Sequence, residues 1–109
     1  MPRAVAHGEI WWADVDKRRP VVIASRDDTS GVRHRTTVAA ITTTIRQIPS
    51  EVPVGEREGL DKPSAANCDE LVTLDKGRLV RRIGRLSDQR RRDFDRALAF
   101  ALALPSVDS

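Results

Sequence analysis

The chain has 109 residues, a formal net charge of +3 and a pI near 9.7. This length suits one domain with a modest core and is too short for two ordinary domains. The basic balance favours an anionic partner such as nucleic acid, although a coding bias toward arginine and alanine would produce the same balance. The longest strongly apolar run covers residues 97–104. It is far below the ~20 residues that span a bilayer, so we expect no membrane segment.

Cysteine use and the chain ends bear on the compartment and on domain organisation. Cys68 is the only cysteine and cannot form an internal disulfide, so we expect a reducing, cytoplasmic setting. No histidine stands near it in the sequence, which favours a small buried residue over a nucleophile. Residues 1–6 lack the apolar core of a secretory leader and are interpreted as a flexible leader. A single domain is predicted over residues 7–105, followed by a tail at 106–109.

Six short strands are predicted in chain order. They cover residues 8–15, 20–25, 35–45, 51–54, 64–74 and 82–86. Strand-favouring side chains are frequent in them, and turn-forming residues separate them. Pro53 in the fourth strand indicates a sheet edge, because proline cannot donate a ladder hydrogen bond. Residues 75–79 are interpreted as one helical turn between the last two strands.

A terminal helix is predicted after Ser87, a favourable N-cap with Asp88 in the first turn. Its apolar positions recur at helical spacing and are Phe94, Leu98, Ala101 and Leu102. Pro105 is expected to close the helix. Several short strands followed by one amphipathic helix predict a mainly β (α+β) fold, in which a helix packs on a small curled barrel.

Two strand ends each carry one polar side chain that suits phosphate binding. Arg19 stands directly before Pro20, which biases Arg19 to extended geometry at an ordered strand entry. Thr42 ends the apolar run of residues 38–41, where strand alternation gives way to hydroxyls. An arginine and a threonine at two strand ends can together bind one phosphate. Taken singly, each is more typical of an ordinary strand residue.

The two histidines are the usual candidates for acid–base chemistry near neutral pH. No carboxylate stands at a recognisable spacing from His7 or His34, so we expect both at the surface and predict no metal site and no cofactor. His34 is the better candidate of the two, because its loop should lie near Arg19 and Thr42.

Two pairs of adjacent residues have both a functional and a structural interpretation. Asp69 and Glu70 could contact base edges or position the arginine, and an ion pair with another arginine is an equal alternative. Trp11 and Trp12 point to opposite faces of a strand. One should therefore be core, while the other stacks on a base or packs in a dimer interface.

Five segments follow one another along nearly the whole chain. They are residues 8–15, 19–23, 38–42, 67–76 followed by Arg78-Leu79, and a final Leu-Ser that opens the amphipathic helix. In this order and spacing they resemble the MazF/PemK-type toxins of bacterial toxin–antitoxin systems. The loop before Arg19, residues 16–18, is shorter than in many members of that family. This difference bears on RNA sequence specificity more than on the chemistry.

The resemblance implies an SH3-like β-barrel that forms a homodimer and cleaves single-stranded RNA (mRNA, tRNA or rRNA) without a metal or other cofactor. It also implies inhibition by a cognate acidic antitoxin protein and a toxin–antitoxin complex that binds DNA. The central catalytic pair of the family falls on Arg19 and Thr42. The RNA-binding residues expected around that pair are Lys17, Arg18, Ser25, His34, Asp69 and Glu70.

Metal-independent cleavage would use the 2′-hydroxyl of RNA as the nucleophile. Arg19 suits stabilisation of the phosphorane charge, with leaving-group protonation as a second role, because a pKa above ~12 makes arginine a poor general base. Thr42 would donate a hydrogen bond to a phosphate oxygen, and the general base is left open. Two alternatives remain, a non-catalytic small-barrel module for RNA or protein and a gyrase-poisoning toxin of the CcdB type. The latter type relies on an aromatic residue near the C-terminus, and the ending Pro-Ser-Val-Asp-Ser argues against it.

Overall fold

The fold is a strongly curled antiparallel sheet followed by one helix. A computed structural model describes residues 3–105, so the predicted tail at 106–109 lies outside the described residues. The strands are β1 (Glu9–Asp14), β2 (Arg18–Ile23), β3 (Arg35–Thr42), β4 (Glu51–Val54), β5 (Ser64–Asp75) and β6 (Leu79–Arg85), and the helix is α1 (Asp88–Ala101). Short 3-10 turns occupy Glu56–Glu58 and Lys76–Arg78. The sheet has the order β4-β5-β3-β2-β1-β6 and forms a half-barrel, which confirms the predicted fold class.

The strands follow the predicted ones, with differences at their ends. β4 covers the predicted residues and lies at the sheet edge, as Pro53 indicates. β3 ends at Thr42 rather than residue 45, because Thr42 is the last residue of that strand to pair with β5. β6 begins earlier than predicted, at Leu79, because Leu79 already pairs with Ala13 of β1.

Both faces of the sheet are buried over much of its area. Successive residues of one strand enter different clusters, so that Val21 packs on one side and Val22 on the other. The cluster under the helix includes Ile10, Val22, Ile41, Val52, Leu86 and Phe94. The second cluster includes Val5, Trp11, Val21, Ile23, Leu74 and Leu79. Val5, which we interpreted as part of a flexible leader, is 3 % exposed and pairs with Asp28, so the leader packs on the sheet from this residue onward.

The helix begins as predicted and ends earlier than predicted. Ser87 is the N-cap, and its Oγ accepts a hydrogen bond of 3.1 Å from the Arg90 backbone N–H. The helix ends at Ala101, before Pro105 can close it, because Ala103 adopts a left-handed φ of 56° that turns the chain away. Leu102 lies outside the helix and is 51 % exposed, contrary to the predicted apolar face. No helix within residues 3–105 is long and apolar enough to cross a membrane.

A buried ion pair joins the β2–β3 loop to the turn after β5. The Lys76 side chain is 2 % exposed, and its ammonium donates to Oδ2 of Asp28 at 2.5 Å. Asp28 also accepts from the Arg33 backbone N–H and the Ser30 hydroxyl. The hydrogen bond from Lys76, assisted by these other donors, lowers the pKa of Asp28 to about 2. Both charges are therefore compensated inside the fold.

Candidate functional site

The side chains of Arg19 and Thr42 line one cavity of about 420 Å³. The antiparallel register of β2 and β3 pairs Val21 with Ala40, and its continuation sets Arg19 opposite Thr42 on the same face. The other lining residues are Val15, Asp16, Ala40, Ile41, Thr44, Arg46, Glu70 and Val72. Two residues that are 23 positions apart in the sequence thus meet at one end of the sheet.

The Arg19 guanidinium is held by a carboxylate of the preceding turn. Its Nε donates to Oδ1 of Asp16 at 2.7 Å, and its Nη2 donates to Oδ2 at 3.1 Å. The hydrogen bond from Arg19 and a second one from the Lys17 backbone hold the pKa of Asp16 well below its usual range. The same pair, with a smaller contribution from the charge of Glu70, raises the pKa of Arg19. Asp16 is therefore a carboxylate and Arg19 a cation at neutral pH.

The hydroxyl of Thr42 is oriented by the backbone that follows it. Its Oγ1 accepts a hydrogen bond of 3.1 Å from the Thr44 N–H, at the point where β3 ends. Because a hydroxyl both accepts and donates, this contact leaves the O–H proton available for an oxygen in the cavity.

Glu70 reaches the cavity through an irregularity in β5. Ala39 of β3 pairs with Leu71, whereas the next residue, Ala40, pairs with Asn67, so residues 68–70 have no opposite partner on β3. Such a bulge redirects the side chains around it. Glu70 consequently lines the cavity, while its neighbour Asp69 accepts a hydrogen bond of 2.6 Å from the Ser50 hydroxyl.

Cys68 lies within this bulge and is 1 % exposed. Burial, with smaller effects of nearby carboxylates, raises the pKa of its thiol to about 12. The thiol therefore stays neutral, which confirms the interpretation of a small buried residue rather than a nucleophile.

Two of the expected RNA-binding residues lie at the opposite end of the sheet. β3 runs eight residues from Arg35 to Thr42, so His34 is roughly 20 Å or more from Thr42. Ser25 follows the far end of β2, where its Oγ accepts a hydrogen bond from the Thr37 N–H. The expectation that the His34 loop lies near Arg19 was wrong. The loop that contains His34 joins the last residue of β2 to the first residue of β3. Arg19, near the start of β2, and Thr42, at the end of β3, therefore lie at the opposite end of this strand pair.

Lys17, in the β1–β2 turn, and Arg18, the first residue of β2, do not line the cavity. Lys17 is exposed at the tip of this turn. Arg18 faces the side opposite to Arg19 and pairs with Asp14, through Nε at 3.0 Å and Nη2 at 3.3 Å. It borders a separate depression of about 270 Å³ whose other residues are Trp12, Val80 and Arg81.

The two tryptophans divide as predicted between the core and an outer face. Trp11 is 7 % exposed and belongs to the second core cluster, with the Arg3 guanidinium 5.4 Å from its ring centroid. Trp12 is half-buried beside Arg18.

His7 is bound on both ring nitrogens and is not the surface histidine that we expected. Its Nδ1 lies 3.1 Å from the Ala24 carbonyl oxygen, and its Nε2 lies 2.5 Å from Oδ1 of Asp95 on α1. Asp95 stands 88 residues away in the sequence, so no local spacing could reveal the pair. His34, in contrast, is exposed.

The sequence reasoning missed three polar residues of the cavity: Asp16, Thr44 and Arg46. The signal for Asp16 was its position three residues before Arg19 across a short turn. Arg46 is fixed by Glu51, whose carboxylate accepts from the Arg46 backbone N–H at 2.8 Å. Within residues 3–105, no group of three or more His, Cys, Asp and Glu side chains is arranged to hold a metal ion.

A family model and a related protein both match most of the chain. A family model described as the PemK-like, MazF-like toxin of type II toxin–antitoxin systems matches residues 6–102. The probable endoribonuclease MazF5 of Mycobacterium tuberculosis (strain ATCC 25618 / H37Rv) is 40% identical over 100 residues, which are 89% of this chain and 92% of that protein.

Two solved structures extend the comparison to the fold. The Mycobacterium tuberculosis toxin MazF-mt6 is similar with a TM-score of 0.84 and 37% identity, covering 89% of this chain and 98% of the toxin. An endoribonuclease from a mycobacterial species, solved in complex with its cognate antitoxin, has a TM-score of 0.83 and 27% identity, covering 93% of this chain and 97% of that one.

Proposed function

The chain belongs to the family of PemK-like, MazF-like toxins of type II toxin–antitoxin systems, and from that premise we propose that it is an endoribonuclease that cleaves single-stranded RNA. The observation that carries the proposal is the meeting of Arg19 and Thr42 in one cavity. The 40% identical relative is itself named a probable endoribonuclease, which supports the same reaction class.

The reaction we propose is attack of the RNA 2′-hydroxyl on the adjacent phosphorus. The 2′-oxygen forms a bond to phosphorus, the bond from phosphorus to the 5′-oxygen breaks, and a 2′,3′-cyclic phosphate and a 5′-hydroxyl result. Arg19 donates hydrogen bonds to the phosphate oxygens as charge builds up on them, and Thr42 donates another. The proton of the 2′-hydroxyl leaves to a base, and the 5′-oxygen gains a proton, for which Arg19 is one donor.

The RNA-binding set that we propose is narrower than the one expected from the sequence. Glu70 lines the cavity and can contact the ribose hydroxyl or a base edge, whereas Asp69 is engaged by Ser50. Lys17 is exposed in the turn that precedes Arg19 and can contact a neighbouring phosphate. Arg18 faces the other side of the sheet, and Ser25 and His34 lie at its far end, so we leave these three out.

We further propose that the toxin is a cytoplasmic homodimer with an acidic antitoxin. A net charge of +3 favours an acidic, initially disordered segment that folds across the RNA-binding surface. Charge attraction should make this association fast and sensitive to salt. A single buried cysteine suits a reducing compartment.

The test is incubation of the purified protein with a defined RNA and the matching DNA, with and without EDTA. We expect RNA-only cleavage that survives EDTA and leaves 5′-ends that a polynucleotide kinase labels without prior phosphatase treatment. Cleavage of the DNA, loss of activity in EDTA or 5′-phosphate ends would contradict the mechanism. Tight RNA binding without any cleavage would instead favour the alternative, a non-catalytic binding module.

A further inference from the structure

We propose that Asp16 is a positioning residue, whose carboxylate fixes the Arg19 guanidinium in the orientation that receives the scissile phosphate. This inference rests on the proposed ribonuclease function. It concerns a residue outside the expected catalytic and RNA-binding set, and three features of the β1–β2 turn carry it.

The first feature is the edge of the guanidinium that Asp16 uses. A guanidinium presents five N–H donors in one plane, and a carboxylate can bind along one edge of it. Asp16 takes the edge formed by Nε and Nη2, with distances of 2.7 and 3.1 Å. The second edge, formed by Nη1 and the other N–H of Nη2, is left for two oxygens of one phosphate. Asp16 and the phosphate can therefore bind Arg19 at the same time.

The second feature is that Asp16 is itself fixed. Its Oδ1 accepts a hydrogen bond of 2.9 Å from the Lys17 backbone N–H as well as the bond from Arg19. The carboxylate is thus tied to the turn. The Arg19 side chain is 36% exposed, and an arginine this exposed would sample many rotamers without such a partner. Catalytic donors act most strongly when their orientation is set before the charge develops.

The third feature is the charge of Asp16. A carboxylate next to Arg19 weakens the long-range attraction of the cavity for RNA while it fixes the arginine. Its removal should therefore lower kcat and leave KM unchanged or lower, since more net positive charge binds the RNA ground state. If Asp16 had only a structural role, its removal would instead lower the fraction of folded protein, and the folded molecules would keep the wild-type kcat and KM.

The hairpin of β1 and β2 also supplies a matched control. Asp14 pairs with Arg18 in a similar two-point contact, 3.0 and 3.3 Å, on the opposite face of the sheet. Neither residue lines the cavity. Removal of Asp14 therefore removes an equivalent exposed ion pair from the same hairpin without touching Arg19.

The experiment measures kcat and KM on one short RNA for wild type and for Asp16→Ala, Asp16→Asn, Asp16→Glu and Asp14→Ala, with melting temperatures for all. We expect Asp16→Ala to lower kcat at least ~10-fold with KM unchanged or lower. The kcat of Asp16→Asn should lie between those of wild type and Asp16→Ala, because the amide oxygen keeps one acceptor. The kcat of Asp16→Glu should also exceed that of Asp16→Ala, because the carboxylate is retained. Asp14→Ala should stay within ~2-fold of wild type. A kcat of Asp16→Ala within ~2-fold of wild type, or an equal loss in Asp14→Ala, would overturn the inference.

A second measurement keeps the inference separate from the proposed function. The ¹⁵N relaxation of the Arg19 Nε–H group reports how firmly the side chain is held without any RNA. We expect restricted motion in wild type and in Asp14→Ala, and increased motion in Asp16→Ala. A wild-type protein that does not cleave RNA would defeat the proposed function alone. An Arg19 that is equally mobile with and without Asp16 would defeat the positioning role.

Discussion

In the proposed mechanism, Arg19 and Thr42 make different kinds of contact with the same phosphate. Asp16 raises the pKa of a group that is already a poor base, so Arg19 acts through its charge and its N–H donors. Thr42 contributes one neutral donor, oriented by the Thr44 N–H. If the proposed mechanism holds, the two side chains stabilise the transition state in parallel, and neither can replace the other.

We expect Arg19→Ala and Thr42→Ala each to lower the rate of RNA cleavage at least ~100-fold, the scale of losing one preorganised donor to a developing charge. Single-turnover cleavage of a defined RNA, with circular dichroism to verify folding, measures the effect. His34→Ala is the control, because this exposed side chain lies at the far end of the sheet. Near-wild-type rates in either folded cavity variant would remove that residue from the mechanism, and a large loss in His34→Ala would contradict the geometry.

The buried pair of Asp28 and Lys76 makes stability depend on acid pH. The pKa of Asp28 is lowered from 3.8 to about 2 in the folded protein, chiefly by the hydrogen bond from Lys76. A lowered folded-state pKa stabilises the protein above the unfolded pKa, and this stabilisation is lost as pH falls through the folded value. The loss should therefore occur between about pH 4 and pH 2.

We expect Asp28→Asn to lower the melting temperature at pH 7 by at least ~5 °C, because it leaves the Lys76 ammonium buried without its anionic partner. The difference from wild type should shrink as the pH falls from about 4, the unfolded-state pKa, to about 2, where Asp28 becomes neutral in the folded protein as well. Thermal unfolding at a series of pH values checks both points, with the exposed Asp61→Asn as control. A difference that stays constant down to pH ~2.5 would show that the charge of Asp28 does not matter.

At the scale of elements, strand pairing explains which parts of the site the sequence could predict. Arg19 is the second residue of β2 and Thr42 is the last residue of β3. Because these strands are antiparallel neighbours, the strand pattern alone brings the two residues together. The same strand pattern also predicts that the His34 loop, which joins β2 to β3, lies at the other end of this strand pair. Glu70 lines the cavity because of a bulge in β5. The sequence pattern of alternating side chains does not reveal that residues 68–70 have no partner on β3. The His7–Asp95 contact joins elements 88 residues apart, which no local pattern records.

The α1 N-terminus is a second element-level feature that the sequence predicts, because the cap is local. Ser87→Ala should lower the free energy of unfolding by ~1 kcal/mol, since the Arg90 N–H loses its acceptor at the start of the helix. Ser87→Asp should retain most of the stability, because a carboxylate caps equally well and suits the helix dipole. Urea unfolding of the three proteins measures the differences. Equal stability of Ser87→Ala and wild type would mean that the cap contributes nothing.

At the scale of the whole molecule, several large apolar side chains at the end of α1 stay exposed outside the core. Phe100, Leu102 and Leu104 are 61%, 51% and 55% exposed and lie close together in the sequence at the end of α1. Isolated exposed apolar residues are normal, but we expect three large ones within five residues to lie together as one apolar patch. Closed symmetric dimers are the most frequent way in which proteins cover such a patch, because the same surface then serves both subunits.

We therefore expect a homodimer at micromolar concentration that depends on this patch. Light scattering should give twice the mass of the 12.1 kDa chain, and Phe100→Asp combined with Leu104→Asp should give a folded monomer. Val32→Asp is the matched control, because Val32 is 71% exposed in the β2–β3 loop, apart from the patch, and should leave the dimer intact. A monomeric wild type would refute the dimer. A dimer that survives the double substitution would move the interface elsewhere, since two carboxylates per subunit cannot be buried across a two-fold axis without a large desolvation penalty.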